Sequence, residues 1–278
     1  MWKKRKPVIQ IKSRDQLAVM REAGLVVGRT LQRLTEEVRP GVTTAELDVI
    51  AEESIRSAGA TPSFKGYHGF PASICTSVNE EIVHGIPSPD KVLREGDIIS
   101  IDCGAIVDGW HGDSAVTVPV GEITPDLQRL IEVCEESMWL GIGTGQVESH
   151  LSDIGNAIET YVRGRGDYGI VEEYVGHGIG TQMHMDPPVP NYGEAGHGPS
   201  LVPGMCFAVE PMINLGTAET VLLDDEWTVI TDDGRPSAHF EHTFAVTEDG
   251  PWVLTALDGG AARGFQSRDE RIKDGAQS

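Results

Sequence analysis

The stretch that decides the fold is LREGDIISIDCGAIVDGWHGD, residues 93 to 113. It passes a turn glycine, Gly96, enters an apolar run, Ile98-Ile99-Ser100-Ile101, and arrives at Asp102. The residues after Ile101 read as a β-hairpin, because Asp108-Gly109 is a favoured pair for a two-residue type I′ turn. With that loop Val107 faces Trp110, Gly104 faces Asp113 and Asp102 faces Ala115. Asp102 and Asp113 then become diagonal neighbours on one face of the sheet, about 7–8 Å apart. Two carboxylates at that separation, flanked by Ile and Val, need a cation if they are buried. The hairpin alone leaves two readings open, a cation site or an acidic pair facing water.

Outward from the hairpin, the pattern returns. Leu201-Val202-Pro203-Gly204-Met205-Cys206-Phe207-Ala208-Val209-Glu210 aligns with residues 93–102 at an offset of 108, with leucine, turn glycine and terminal carboxylate coinciding. His84-Gly85-Ile86-Pro87 is loosely echoed by His184-Met185-Asp186-Pro187. Two helices precede each copy. Ser13-Arg14-Asp15-Gln16 is a capping box, followed by Leu17, Met20, Ala23, Val27, Leu31 and Leu34 at helical spacing, and Arg39-Pro40-Gly41 stops the helix. Thr43-Thr44-Ala45-Glu46 opens a second helix that runs to about Gly59. Thr124-Pro125 opens a third, with Thr at the N-cap and Pro at N1, and Leu127, Leu130, Ile131, Cys134 and Met138 form its buried stripe. A fourth carries Leu151, Ile154, Ile158 and Val162.

Two helices and then strands, occurring twice, imply a duplicated α+β domain. It spans residues 13–255, with pseudo-twofold halves of about 13–120 and 121–255 whose sheets pack around one central site. Residues 1–12 read as a basic tail, and 256–278, polar and without period, as a loose one.

Charge and cysteine content narrow the classes of function. There are 22 basic against 43 acidic residues, a formal charge of −21. Such a surface repels DNA and anionic membranes and suits cations, including a peptide's free amino group. Lys3-Lys4-Arg5-Lys6 is the local exception, and a solvated tail is its plainest role. Cys75, Cys103, Cys134 and Cys206 show no CxxC spacing, which argues against a zinc knuckle or redox pair and fits free thiols in a reducing compartment. The start is too polar for a signal sequence and no window approaches a membrane span, so a cytoplasmic protein is expected, monomeric by default.

Three further residues join the two aspartates. His177 stands between glycines in Gly176-His177-Gly178, where the backbone can close around the ring. Glu210 ends an apolar strand before Pro211-Met212, and Glu241 lies inside another, Phe240-Glu241-His242-Thr243-Phe244. At this point the sequence resembles the type I methionine aminopeptidases, a family with the pita-bread fold. The matching words are Gly66-Tyr67-His68-Gly69-Phe70-Pro71, Val83-His84-Gly85-Ile86-Pro87, Gly176-His177-Gly178-Ile179-Gly180 and Glu210-Pro211-Met212, within a likeness running from about residue 13 to 255.

The resemblance implies a dinuclear metal site with Asp102, Asp113, His177, Glu210 and Glu241 as ligands. Asp113 and Glu241 would bridge the ions, Asp102 would hold one, and His177 with Glu210 the other. One imidazole and four carboxylates suit Co, Mn, Fe(II) or Zn. It implies Glu210 as general base, with His84 placing the scissile amide and His184 donating to the carbonyl oxygen. It also implies a methionine slot of Tyr67, Phe70, Cys75 and Trp227, with His84 at its edge and Met183 and Phe64 close by. By local pattern alone, Phe64 is plain core. Substrates would be peptides and nascent chains beginning with Met and a small second residue, with the basic tail as the place for a transient ribosome contact. The remaining histidines, His68, His111, His150, His197, His239 and His242, are assigned structural roles. The interval of 33 between His177 and Glu210 leaves no room for the helical insertion of type II relatives.

Overall fold

The computed structural model describes residues 8–265. Two helices open the chain, α1 (Arg14–Glu37) and α2 (Thr44–Ser57). Both begin at their capping boxes: the Ser13 and Thr43 hydroxyls accept from the amides of Gln16 and Glu46, whose side chains accept from the cap amides. Each box satisfies two donors that a helix start otherwise leaves unpaired. The first half continues with β1 (Thr61–Pro62), β2 (Ile74–Val78), β3 (Glu81–Val83), β4 (Ile98–Val107) and β5 (Trp110–Pro119). Helices α3 (Pro125–Gly143) and α4 (Ser152–Arg163) start the second half. Its strands are β6 (Gly169–Ile170), β7 (Gly176–Gly178), β8 (Met185–Val189), β9 (Cys206–Val209), β10 (Met212–Asn214), β11 (Thr220–Leu222), β12 (Val229–Thr231), β13 (Ser237–His239), β14 (Glu241–Thr247) and β15 (Gly250–Val253).

The β4–β5 hairpin has the register that its turn dictates. Val107 pairs with Trp110, Gly104 with Asp113 and Asp102 with Ala115. Asp108 and Gly109 both have positive φ, +48° and +81°, as a type I′ turn requires. The large sheet runs β1-β4-β5-β14-β9-β7-β8, with β2 also on β4 and β15 also on β14. Two small sheets, β13-β10-β6 and β11-β12-β3, complete the β structure.

The duplicated motif folds alike in both copies. Gly96 and Gly204 each have φ of +90°, which glycine adopts without the Cβ penalty. The same turn hydrogen bond closes each, from Asp97 N–H to Arg94 C=O (3.1 Å) and from Met205 N–H to Val202 C=O (3.2 Å). The two halves meet where β5 pairs with β14.

Helices cover one face of the large sheet. Ile99, Ile101, Cys103 and Ala105 of β4 pack with Val27, Leu31 and Leu34 of α1 and Leu47, Ala51 and Ile55 of α2. A second core joins α3 and α4 to Phe207 of β9 and to Phe244 and Val246 of β14. Each large apolar side chain buried there contributes roughly 1.5–3 kcal/mol. Alternation along β4 then turns Asp102 to the opposite face.

The ends depart from expectation. The loose tail assigned from residue 256 is packed as far as Phe265. Ala256 is buried, and the buried Arg21 of α1 donates to the carbonyls of Leu254 (2.7 Å) and Leu257 (3.0 Å). Arg263 pairs with Glu135 (2.6 Å) and Glu136 (2.7 Å) of α3. Polar bonds rather than apolar periodicity hold this segment, so period counting passes over it. Residues 266–278 lie outside the described residues. At the other end Lys12 is buried and its amide donates to Gly204 (2.8 Å), whereas Lys3 to Lys6 lie outside the described residues.

Candidate metal centre

Register brings the chemistry onto one face. Cys75, Asp102, Ala115 and Glu241 lie opposite one another on β2, β4, β5 and β14. Beside this row, the Thr243 hydroxyl accepts from the Asp113 amide (3.1 Å) and donates to its carbonyl (2.8 Å). Thr243, Ala208 and His177 continue that second row across β14, β9 and β7. Paired residues share a face, as do residues two apart, so both rows point the same way. Small Ala115 and Ala208 leave room between the larger groups. One ligand atom from each of Asp113, His177 and Glu241 lies within 4.8 Å of the others. Glu210, directly after β9, brings Oε1 to 3.5 Å from His177 Nε2.

The glycines beside His177 act by close approach. A Cβ on Gly176 would sit 2.3 Å from the Ala208 carbonyl oxygen, and one on Gly178 would sit 2.3 Å from that of Asp186. Backbone therefore closes on both sides of the ring. His177 Nδ1 lies 3.0 Å from the Gly178 carbonyl, which accepts its N–H and leaves the Nε2 lone pair facing the carboxylates.

Asp102 Oδ1, Asp113 Oδ1 and Glu241 Oε1 are buried with no hydrogen-bond partner. Desolvation without a partner penalises the charged form. Burial pushes Asp102 up to about 7. Burial, reinforced by neighbouring carboxylates, pushes Asp113, Glu210 and Glu241 well above the usual range. Burial also pulls His177 down to about 3, so its ring is neutral and free to act as a ligand. A hard, oxygen-rich set with orphaned buried oxygens fits divalent cations, whose charge supplies the missing partner.

These groups form one end of a cavity of about 550 Å³. Its other end is apolar, lined by Phe64, Tyr67, Phe70, Cys75, Met183 and Trp227. Phe70 and Trp227 meet edge to face at 5.1 Å. Trp227 sits in the β11–β12 turn, where the Asp225 carboxylate accepts from its amide (2.9 Å) and from that of Thr228 (2.8 Å). Because β12 also pairs with β3, one small sheet carries both this tryptophan and His84, the residue after β3. His84 packs edge to face on Tyr174 at 5.7 Å, and burial lowers it to about 4. His184 is bonded to the Tyr67 hydroxyl (3.0 Å), with its ring 4.4 Å from that of His177. All the residues assigned from the sequence to metal, catalysis or the methionine slot thus line a single cavity.

His239, assigned a structural role, also lines that cavity. It is 2% exposed, and its Nε2 lies 3.8 Å from Glu210 Oε2 without a hydrogen-bond partner. Met212, which pairs with His239, lines the cavity too. Phe64, read as core, faces it as well, as does His68. Glu173 and Tyr174 reach it from the segment before β7, where no local pattern marks them. By contrast His242 packs against Trp139 (4.7 Å) and bonds Thr255 (2.8 Å), and His111 bonds Ser63 (3.1 Å).

The geometry has counterparts among known proteins. The model of metallopeptidase family M24 matches residues 18–248. The methionine aminopeptidase of Clostridium acetobutylicum is 52% identical over 251 residues, covering 90% of this chain and 100% of that protein. The crystal structure of methionine aminopeptidase from Rickettsia prowazekii is 43% identical with a TM-score of 0.87, over 89% of this chain and 100% of that one. Prolidase from Pyrococcus furiosus, 22% identical, shares the fold at a TM-score of 0.71 over 88% of this chain and 65% of its own. A family match along most of the chain, joined to near-complete overlap with these relatives, shows that the chain belongs to metallopeptidase family M24 and, within it, to the methionine aminopeptidases.

Proposed function

We propose that this enzyme removes the initiator methionine from newly made cytoplasmic proteins whose second residue is small. The observation that carries the reading is the junction of two environments in one cavity, orphaned buried carboxylates at one end and an apolar slot at the other. Likeness to methionine aminopeptidases along almost the whole chain supports the substrate. The four cysteines are free thiols, which fits a reducing compartment. Among the described residues no helix is long and apolar enough to cross a membrane. A monomer that meets nascent chains at the ribosome, with Lys3 to Lys6 as its basic contact, completes the reading.

Two divalent ions would be held by Asp102, Asp113, His177, Glu210 and Glu241; Mn, Fe(II), Co and Zn all suit these donors. Bound divalent ions lower the pKa of water and polarise a carbonyl. The chain's residues do the rest. Glu210 takes the proton of the attacking water and delivers it to the leaving amine. His184, oriented by Tyr67, donates to the carbonyl oxygen as negative charge gathers there. His84 positions the scissile amide. Tyr67, Phe70, Cys75 and Trp227 take the flexible methionine side chain, whose thioether packs well against aromatic rings.

Hydrolysis of Met-Ala-Ser with added Mn(II) or Co(II) tests the activity. Glu210→Gln is expected to abolish it, and a fully active Glu210→Gln enzyme would remove Glu210 from the mechanism.

A further inference from the structure

We propose that His239 is a positioning residue for Glu210: its Nε2–H holds Glu210 Oε2, so that the base presents a fixed orientation to the reacting water. The inference rests on Glu210 acting as the general base and extends that role.

The two oxygens of Glu210 address different imidazoles. Oε1 lies 3.5 Å from His177 Nε2, while Oε2 lies 3.8 Å from His239 Nε2. His239 Nε2 has no other partner, although the residue is only 2% exposed. A buried donor left unpaired is costly, so this ring needs an acceptor, and the carboxylate facing it is one. Nε2 faces the carboxylate, which selects the imidazole tautomer that carries its hydrogen there. The separation exceeds hydrogen-bond length, and a movement of about 1 Å at the carboxyl closes it.

The backbones on both sides are already fixed. The His239 amide donates to Thr117 Oγ1 (2.9 Å), and the same hydroxyl donates back to the His239 carbonyl (2.8 Å). His239 pairs with Met212, two residues beyond Glu210. Asn191 donates to the Glu210 carbonyl (3.1 Å). A donor on Oε2 restrains the Glu210 side chain between these fixed backbones. Partners in this position behind a ligand typically tune metal affinity and rate together.

Two variants of similar bulk separate the donor from the shape. His239→Leu removes the donor, whereas His239→Gln keeps an N–H at the reach of Nε2. His239→Leu is expected to lower kcat on Met-Ala-Ser by ~10–100-fold and to weaken Mn(II) binding to the metal-free protein, read by titration calorimetry, by ~10-fold. KM should stay within about twofold, and His239→Gln should recover most of kcat and of the Mn(II) affinity. Retention of kcat and Mn(II) affinity by His239→Leu would overturn the proposal. So would a loss confined to KM that varies with the second residue of the peptide, which would make His239 a substrate contact. Glu210→Gln measured alongside tells the two levels apart. An inactive Glu210→Gln with an unaffected His239→Leu sinks only this inference, and an active Glu210→Gln sinks both.

Discussion

At the scale of single residues, the site works by withholding partners. Asp102, Asp113 and Glu241 each keep a buried oxygen without a hydrogen bond, a costly state until a cation arrives. This makes metal binding depend on pH. Burial holds Asp102 at about 7 and raises Asp113 and Glu241 well above the usual carboxylate range, so protons occupy the ligand set at lower pH and compete with metal. His177, held at about 3 by burial, remains neutral and does not compete. Mn(II) affinity of the metal-free protein should therefore rise between about pH 6 and about pH 8 with release of protons, read by calorimetry in buffers of different ionisation enthalpy. Affinity that is flat or falling over that interval would contradict proton competition at the buried carboxylates. At the apolar end, Trp227→Ala should raise KM for Met-Ala-Ser by ~10-fold or more while sparing metal binding, because it removes a slot wall rather than a ligand.

At the scale of elements, close backbone packing carries what side chains cannot. β7 is three residues long, and its two glycines lie against carbonyls of the neighbouring strands. Gly178→Ala would place a methyl 2.3 Å from the Asp186 oxygen, forcing β8 away and turning His177 with it. The expected cost is about 1–3 kcal/mol in thermal or denaturant unfolding, together with lost Mn(II) affinity. A contrasting change sits at the start of α1. Ser13→Ala removes half of a capping box far from the cavity and should cost about 0.5–2 kcal/mol with kcat/KM unchanged. Both caps and the hairpin register were legible from local letters, since a turn pair or a cap acts within four residues. Residues 256–265 were not, because their hold on α1 and α3 runs from Arg21 to Leu257 and from Arg263 to Glu135 and Glu136, pairs more than a hundred positions apart in sequence.

At the scale of the molecule, the four carboxylates tie stability to metal. A ligand that binds only the folded state adds free energy by mass action, about 2.7 kcal/mol when free metal is 100 times its Kd. Chelation with EDTA should lower Tm, and Mn(II) restored above pH 7 should recover it more fully than at acid pH. By itself the sequence determined the helices, the hairpin, the repeat at an offset of 108 and the sharing of one face by Asp102 and Asp113, because each obeys a short-range period or turn rule. Only the tertiary structure decided that β14 lies between β5 and β9, which carries Glu241 to Ala115 and brings Thr243 beside both Asp113 and Ala208. The β11–β12 hairpin on β3, which sets Trp227 against Phe70, and His239 behind Glu210 were decided there as well. The physical reason is that strand order follows from covering two separate helix pairs with one sheet, a demand of the whole chain that no window of residues contains.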